Sequence, residues 1–221
     1  MLNIYNTGNH LKNNPFWHAE NSRWKGINIS KIIQKNKLNT RKICEISYGT
    51  RERLCTLDEK LDNTTTFHSF EISDQAYDFC RIKENDNITF FVSNLFERDL
   101  NYDIAMAIDV YEHIEDYLKF LRDLKSKASY KISHIPLDLS AQSVLREEPI
   151  LKKLNTIGHI HYFTKNLALL ALEDCGYEVI DYSYTCGSSD SSNRGVKSNL
   201  ANIPRKLTFI FNQDLCARPW G

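Results

Sequence analysis

Acidic and histidine side chains follow an apolar run near the middle of the chain. Residues Tyr102 to Ile114 read Y-D-I-A-M-A-I-D-V-Y-E-H-I. Such a run is typical of a strand buried on both faces, so we expect Asp109 at its end and Glu112 and His113 at the start of the next helix. Ligands bind at this edge in open α/β sheets. These side chains could hold a cofactor and a substrate; the alternative is that Asp109 caps the helix and the other two are solvated.

Three further features follow predicted strands, in the order that nucleotide cofactors require. A turn within Ile43–Thr50, I-C-E-I-S-Y-G-T, could let the backbone approach a ligand closely. Glu71 ends the second strand about 20 residues further on, where a carboxylate can accept hydrogen bonds from ribose hydroxyls. Asn94 follows the third strand, and its amide can read an adenine edge.

Several side chains could move a proton near this edge, because histidine has a suitable pKa for a general base. His113 follows the fourth strand, and His134 lies near the end of the fifth. His159 and His161 share strand-like parity, which predicts that they lie on one face. Asp138 is an alternative base or a group that orients the acceptor, unless it caps the helix that follows.

Strands and helices alternate along the chain. This pattern predicts right-handed crossovers and a mostly parallel sheet with helices on both faces. The predicted strands are Arg41–Ile46, Thr66–Ile72, Ile88–Val92, Asp103–Ile108, Lys131–Pro136 and Tyr177–Tyr184. The predicted helices lie before residue 40 and at about Arg51–Lys60, Ser73–Lys83, Asp116–Lys127 and Thr164–Cys175, with Gly176 as a C-terminal cap of the last. Leu207–Phe211 has the composition of a seventh strand.

Composition excludes several classes of protein. The 221 residues suit one domain, and 28 basic residues balance 28 acidic ones, so no surface for nucleic acid is expected. The six cysteines and the histidines show no zinc-type spacing, so no metal site is assigned. The cysteines also form no C-x-x-C pair, and a reduced, cytoplasmic protein is expected. The N-terminus lacks a signal-peptide pattern, and no apolar stretch approaches the ~20 residues that span a bilayer.

The features in series resemble the class I S-adenosylmethionine-dependent methyltransferases, most clearly from Ile43 to Glu178. The first turn of that family reads E-x-G-x-G-x-G; residues 45–51 here read E-I-S-Y-G-T-R and keep only the middle glycine. The segments I-D-V-x-E-H at 108–113, H-I-P-L-D-L-S at 134–140 and G-H-I-H-Y-F at 158–163 match more closely. The leader at 14–25, N-P-F-W-H-A-E-N-S-R-W-K, looks like the N-terminal cap of a bacterial subgroup that acts on small molecules.

The resemblance implies a Rossmann-like single domain with a sheet of six or seven strands. Residues 1–40 would form a helical cap, 41–135 the cofactor-binding half and 136–221 the acceptor-side half. The implied cofactor is S-adenosylmethionine (SAM), with S-adenosylhomocysteine (SAH) as product. The implied cofactor contacts are Glu45, Ser47, Gly49, Glu71, Ile72, Asn94, Leu95, Asp109, Val110 and His113. The catalytic candidates are His134, His113 and Asp138, and the acceptor contacts are Trp17, Trp24, Arg146, His159 and His161.

Some alternatives stay open. Trp17, His18 and Trp24 could form a lid over the cofactor or simply anchor the N-terminal helix. The resemblance also aligns Leu207–Phe211 with a helix; the sheet edge would then be exposed or completed by a partner. The chain could be a monomer or a homodimer.

The expected function is methyl transfer to a hydroxyl, phosphate oxygen or amine of a small polar acceptor. The subgroup suggests surface-polysaccharide or related biosynthesis as the setting. The altered turn, with Arg51 in place of the last glycine, favours the alternative of a catalytically inactive methyltransferase-fold protein that serves as a binding or assembly partner. A nicotinamide dehydrogenase is not expected, because G-x-G-x-x-G is absent after the first strand.

Overall fold

A parallel sheet forms the centre of the protein. The computed structural model describes residues 19–46, 52–72, 85–185 and 203–220. The strands are β1 (Lys42–Ile46), β2 (Thr66–Glu71), β3 (Ile88–Val92), β4 (Tyr102–Ile108) and β5 (Ala128–His134). The helices are α1 (Ala19–Lys35), α2 (Glu52–Asp58), α3 (Tyr117–Lys125), α4 (Ala141–Arg146), α5 (Glu148–Ile157), α6 (Lys165–Asp174), α7 (Ile203–Phe211) and α8 (Gln213–Trp220).

The strands pair in the order β3-β2-β1-β4-β5, and every neighbouring pair is parallel. Because β2 lies on one side of β1 and β4 on the other, the strand order reverses beside β1. At such a reversal a crevice opens beyond the carboxyl ends of the strands, and open α/β folds bind ligands there. The predicted parallel sheet is confirmed.

The residues of β4 alternate between two hydrophobic clusters. Ile104, Met106 and Ile108 belong to one cluster, with side chains of α1 and α2. Ala105 and Ala107 belong to the other, with side chains of α3 and α6. Successive residues of a strand point to opposite faces, so helices cover both faces of the sheet, as predicted.

Local signals in the sequence set the ends of α3 and α6. The side chain of Asp116 accepts a hydrogen bond from Lys119 N (2.9 Å) at the start of α3. Thr164 accepts one from Leu167 N (3.3 Å) at the start of α6. Beyond α6, Gly176 has φ 78°, a conformation that a side chain would strain. Both predicted helices are confirmed to within about two residues.

Helix α1 packs closely on α2 through a glycine. A Cβ atom added at Gly26 would lie 2.9 Å from Cβ of Thr56, so no larger residue fits without movement. Ile29 and Ile33 of α1 are buried in the same cluster as the apolar side chains of α2. Within the described ranges, no helix combines the length and apolar character needed to cross a membrane.

The predicted sixth strand is wrong. Residues 177–185 adopt no regular structure, and the described part of the chain forms five strands rather than six or seven. Side-chain contacts hold the segment instead: the carboxylate of Asp181 accepts hydrogen bonds from Lys35 Nζ (3.0 Å) and Asn36 Nδ2 (2.8 Å). The alternating pattern misled because Ile180 and Tyr182 are more than half exposed and cover no core.

The segment Leu207–Phe211 is helical, as the resemblance implied, and the strand interpretation is wrong. All five residues lie in α7. A short apolar run does not distinguish a strand from a helix segment. Packing favours the helix here, since α7 lies against α8. Cys216 of α8 is buried, and its Sγ donates to the carbonyl of Arg205 in α7 (3.4 Å). In the described part of the chain β5 is therefore an edge strand.

Candidate active site

Asp109 lies where β4, β5 and α1 meet. Its backbone N–H donates to the carbonyl of His134 (3.0 Å), and its carboxylate accepts a hydrogen bond from His134 Nδ1 (2.5 Å). The other carboxylate oxygen forms an ion pair with Lys25 of α1. We call Lys25, Asp109 and His134 the Asp109 triad. Asp109 has φ 56°, in the left-handed region that few residues other than glycine, asparagine and aspartate occupy.

The Asp109 carboxylate is held in its charged form. Burial by itself would raise the pKa of Asp109, but the adjacent His134 and Lys25 outweigh burial and hold the pKa well below its usual range. Asp109 caps no helix: the short 3₁₀ turn Tyr111–His113 follows Val110 without a side-chain cap. The alternative of a capping Asp109 beside a solvated Glu112 is therefore wrong.

A second cluster of the same composition forms around Asp138. One carboxylate oxygen accepts a hydrogen bond from His159 Nδ1 (2.8 Å), and the other forms an ion pair with Lys153 of α5. We call Lys153, Asp138 and His159 the Asp138 triad. Burial by itself would raise the pKa of Asp138, but the bond from His159 and the charge of Lys153 outweigh it and lower the pKa. Asp138 is not the cap of α4, because Ser140 caps that helix.

Glu112 and His113 lie beside the Asp138 triad. The backbone carbonyl of Glu112 accepts hydrogen bonds from the N–H groups of Ile160 (2.8 Å) and His161 (3.2 Å), so the segment around His159 is fixed beside the end of β4. The His113 and His159 rings pack edge to face, 4.8 Å apart. The side chain of Glu112 is 1% exposed, and burial, followed by the negative charges of nearby carboxylates, raises its pKa well above the usual range.

His159 and His161 do not share a face, so the prediction from strand parity is wrong. The segment around them is irregular rather than extended in a sheet. His159 is buried and bonds to Asp138, whereas His161 is only half-buried, and its Nε2 donates to the carbonyl of Glu115 (3.1 Å). Tyr162, which follows His161, assists this turn, because its hydroxyl donates to the carbonyls of Ile150 and His159 (both 2.9 Å).

A cavity of about 940 Å³ extends from the ends of β4 and β5 along the length of β5. Its volume is near the upper end of the range for small-molecule sites. Trp24 of α1, residues of α5 and residues of the two C-terminal helices also line it. Five further predicted site residues lie on its wall, together with Glu112: they are Asp109, His113, His134, Asp138 and His159.

The end of β1 carries a buried ion pair. Glu45, predicted to contact the cofactor, bonds to Arg53 Nε of α2, and the two side chains are 1% and 5% exposed. Burial raises the pKa of Glu45, and Arg53 offsets this only in part. Arg53 also lines the cavity, so the charged group that reaches the ligand space here is the arginine.

The candidate cofactor residues after β2 and β3 lie along the same edge of the sheet. Glu71 is buried, and one carboxylate oxygen accepts a hydrogen bond from Ile72 N (2.9 Å). Ile72, directly after β2, is 63% exposed. Asn94 caps the 3₁₀ turn that follows β3 by accepting a hydrogen bond from Phe96 N (3.0 Å).

Other predicted residues have different positions. Leu95 and Val110 are buried in the hydrophobic core, so their side chains offer no surface to a ligand. Arg146 is exposed, pairs with Glu148 (3.3 Å) and, like His161, is not part of the cavity wall. Trp17, His18, Ser47 and Gly49 lie outside the described residues, as does the predicted helix after Ser73.

The sequence interpretation did not select Lys25, Arg53 or Lys153. Each lysine belongs to a triad, and Arg53 pairs with Glu45. Lys25 lies next to Trp24 in the leader that carried part of the resemblance, which was an available signal. Nothing in the local sequence of Lys153 marked it, since α5 is otherwise an amphipathic helix with a solvated face.

Several solved structures have the same arrangement of strands and helices. A magnesium protoporphyrin IX methyltransferase from Synechocystis PCC 6803 with bound SAH is 16% identical, with a TM-score of 0.53 over 71% of this chain and 73% of that chain. This chain has the class I methyltransferase fold. A SAM-dependent methyltransferase from Aquifex aeolicus superposes on this fold with a TM-score of 0.50 at 16% identity, over 73% and 80% of the two chains.

The small RNA methyltransferase HEN1 also contains this methyltransferase fold. Its TM-score is 0.57 at 17% identity, and the match covers 70% of this chain but 21% of that longer chain. No protein-family model matches the sequence, and no curated protein matches it significantly. At these identities the likeness establishes the fold, and the predicted Rossmann-like methyltransferase class is confirmed at that level.

Proposed function

We propose that the protein is a SAM-dependent methyltransferase that acts on a hydroxyl group of a small polar acceptor. The observation that carries the proposal is a hydrogen-bonded chain at the carboxyl edge of the sheet. Asp109 accepts from His134 Nδ1 (2.5 Å), and His134 Nε2 lies 3.0 Å from the hydroxyl of Thr185. In the neutral ring, Nδ1 carries the proton that Asp109 requires and Nε2 accepts from a hydroxyl.

The described residues fit SAM at the β1–β2 side of the edge. The buried carboxylate of Glu71 ends β2, where ribose hydroxyls can donate to it. The exposed side chain of Ile72 beside it offers the apolar surface that a purine base needs. Arg53 lines the neighbouring cavity and can pair with a carboxylate of the ligand. Glu45 then acts indirectly, because its bond to Arg53 fixes the guanidinium.

When bound, SAM supplies a methyl group that the sulfonium already activates, and SAH is the product. The protein must therefore position the acceptor and remove its proton. His134 accepts the hydroxyl proton at Nε2, in the place that the Thr185 hydroxyl occupies. Asp109 orients the ring and stabilises the imidazolium that forms. Lys25 keeps Asp109 ionised, which also explains why α1 is part of the site.

A small acceptor fits the composition and the cavity. The chain carries 28 basic and 28 acidic residues, and this balance favours a small acceptor over a nucleic acid, whose phosphates are bound by basic surfaces. The cavity has room for a ligand of drug-like size. Trp24 lines it and can exclude water from the reacting groups, which is the lid alternative of the two considered for this residue.

Ligand-dependent stability tests SAM binding without knowledge of the acceptor. We expect SAM and SAH, each at about 100 times its dissociation constant, to add roughly 2.7 kcal/mol of stability, or about 5–10 °C in Tm for a chain of this length. Glu71→Gln should reduce the shift, whereas Glu173→Gln, an exposed acid on α6, should leave it unchanged. Melting curves with and without millimolar ligand provide the measurement.

A second measurement separates binding from catalysis. His134→Gln should retain the SAM-dependent shift but form SAH slowly when the protein is screened against hydroxylated small molecules. If wild-type protein shows no shift with SAM or SAH, the proposal fails and the alternative of an inactive methyltransferase-fold binding partner is favoured. If SAM binds but His134→Gln turns over like wild type, the fold is active and the assigned base is wrong.

A further inference from the structure

We infer that Glu112, His113 and His159 form a binding site for one divalent transition-metal ion. One ligand atom from each of the three side chains lies within 4.8 Å of the other two. All three residues line the cavity at the ends of β4 and β5. The inference concerns metal binding and does not rest on the proposed methyl transfer.

The carboxylate of Glu112 is the first observation that points to an ion. Its side chain is 1% exposed, and among the described residues neither carboxylate oxygen has a hydrogen-bond partner. Burial of a carboxylic group without a partner is costly, and native proteins rarely leave such a group unsatisfied. Asp109 and Asp138 close by each have a lysine and a histidine. A metal ion would supply the missing partner.

The hydrogen bonds of the two histidines are the second observation. His113 Nδ1 donates to the carbonyl of Gly158 (3.2 Å), and His159 Nδ1 donates to Asp138 (2.8 Å). Both bonds place the lone pair of the neutral ring on Nε2. A metal-binding histidine nearly always donates its other ring N–H to a carboxylate or backbone carbonyl, which fixes the tautomer and the ring orientation. Here both histidines have such a partner.

The donor set selects the class of ion. Two imidazole nitrogens and one carboxylate suit Zn²⁺, Co²⁺ or Fe²⁺, whereas Mg²⁺ and Ca²⁺ prefer sites made of oxygen atoms. Donors at about 2.0–2.1 Å from one ion are ~3.4 Å apart in a tetrahedron, so small side-chain rotations would have to close the cluster. Three protein ligands leave at least one coordination position open to the cavity, as in catalytic rather than structural metal sites.

Titration of metal-free protein tests the inference. Tag-free protein would be treated with a chelator, dialysed and titrated with Co²⁺ and with Zn²⁺, with visible absorbance and elemental analysis as readouts. We expect one equivalent to bind, with low-micromolar affinity or tighter. His113→Ala, His159→Ala and Glu112→Gln should each weaken binding by more than the 10–100-fold expected for Asp138→Asn, which removes only the partner of His159.

His161→Ala is the matched control, because this histidine lies two residues from His159 but points to the carbonyl of Glu115. It should bind the metal as tightly as wild type. Far-ultraviolet circular dichroism and melting curves establish which variants fold; if Glu112→Gln does not, the two histidine variants carry the test. Binding well below one equivalent overturns the inference. So does binding that the folded histidine variants retain, since cysteines elsewhere would then hold the ion.

Discussion

The two sides of the carboxyl edge of the sheet differ in how their acidic side chains are paired and in how exposed the paired groups are. At the end of β1, Glu45 and Arg53 form one ion pair whose side chains are 1% and 5% exposed. At the ends of β4 and β5, Asp109 and Asp138 each contact one lysine and one histidine, and the side chains of Lys25, Asp109 and His134 are 14%, 29% and 25% exposed.

This difference indicates different roles. A fully buried ion pair resists a change of protonation state, because neutralising one partner would leave the other as an uncompensated buried charge. A histidine that faces a cavity and is oriented by a carboxylate can exchange protons with a ligand. We therefore expect changes on the β1 side to act mainly on folding and changes on the β4–β5 side to act mainly on chemistry.

The largest effect should come from the Asp109 triad. Asp109→Asn removes the charge that stabilises protonated His134 but keeps a residue type that tolerates the left-handed backbone at this position. With an acceptor in hand, we expect methyl transfer to fall by about 10²–10⁴-fold, while the SAM-dependent melting shift persists. Asp123→Asn, in an exposed pair with Lys119, is the control. An unchanged rate in Asp109→Asn would contradict the assigned role.

The buried pair at the end of β1 should dominate stability. Arg53→Met leaves Glu45 buried without its partner, and we expect a loss of about 3–5 kcal/mol in the free energy of unfolding. The double variant Glu45→Gln with Arg53→Met should recover much of this loss, because no buried charge remains. Urea unfolding of the two single variants and the double variant measures the coupling. A cost below about 1 kcal/mol for Arg53→Met would show that the pair behaves as a surface contact.

The pH dependence of stability should report on Asp109. The pKa of Asp109 in the folded protein is lowered, so its contribution to stability is fully present above the ordinary carboxyl pKa of about 3.9 and is lost as pH falls towards the folded value. The difference in unfolding free energy between wild type and Asp109→Asn should therefore shrink between about pH 5 and pH 2. Denaturant unfolding across that range, in buffer with a chelator, measures it. A difference that grows in acid would reverse the assigned sign.

The smallest effect on stability should come from the lysine of the Asp138 triad, and it should differ from the effect of the lysine of the Asp109 triad. The side chain of Lys153 is 38% exposed, whereas that of Lys25 is 14% exposed. Solvent screens the more exposed ammonium group of Lys153, so Lys153→Met should cost less than about 1 kcal/mol, and Lys25→Met should cost more. Melting curves of both variants provide the comparison. Equal costs would indicate that exposure does not distinguish the triads.

Much of the fold could be predicted from the sequence, because the signals are local. The apolar runs of β1 to β4, the cap at Asp116 and the glycine at 176 each depend on a few adjacent residues. The prediction failed for Tyr177–Tyr184 and for the strand interpretation of Leu207–Phe211, where the sequence patterns were short. Long-range packing decided those segments, through Asp181 and through the contact of α7 with α8.

For the candidate site, the sequence by itself determined which residue types reach the carboxyl edge, since strand ends follow from hydrophobic pattern. It placed Asp109, His113 and His134 there and gave Asp138 as a catalytic candidate, and all four residues line the cavity. Only the tertiary structure decided the pairings: Lys25 lies 84 residues from Asp109, Lys153 lies 15 residues from Asp138, and His159 turns towards Asp138 while His161 turns away. The physical reason is that a charged group finds its partner through space, and no local pattern records that distance.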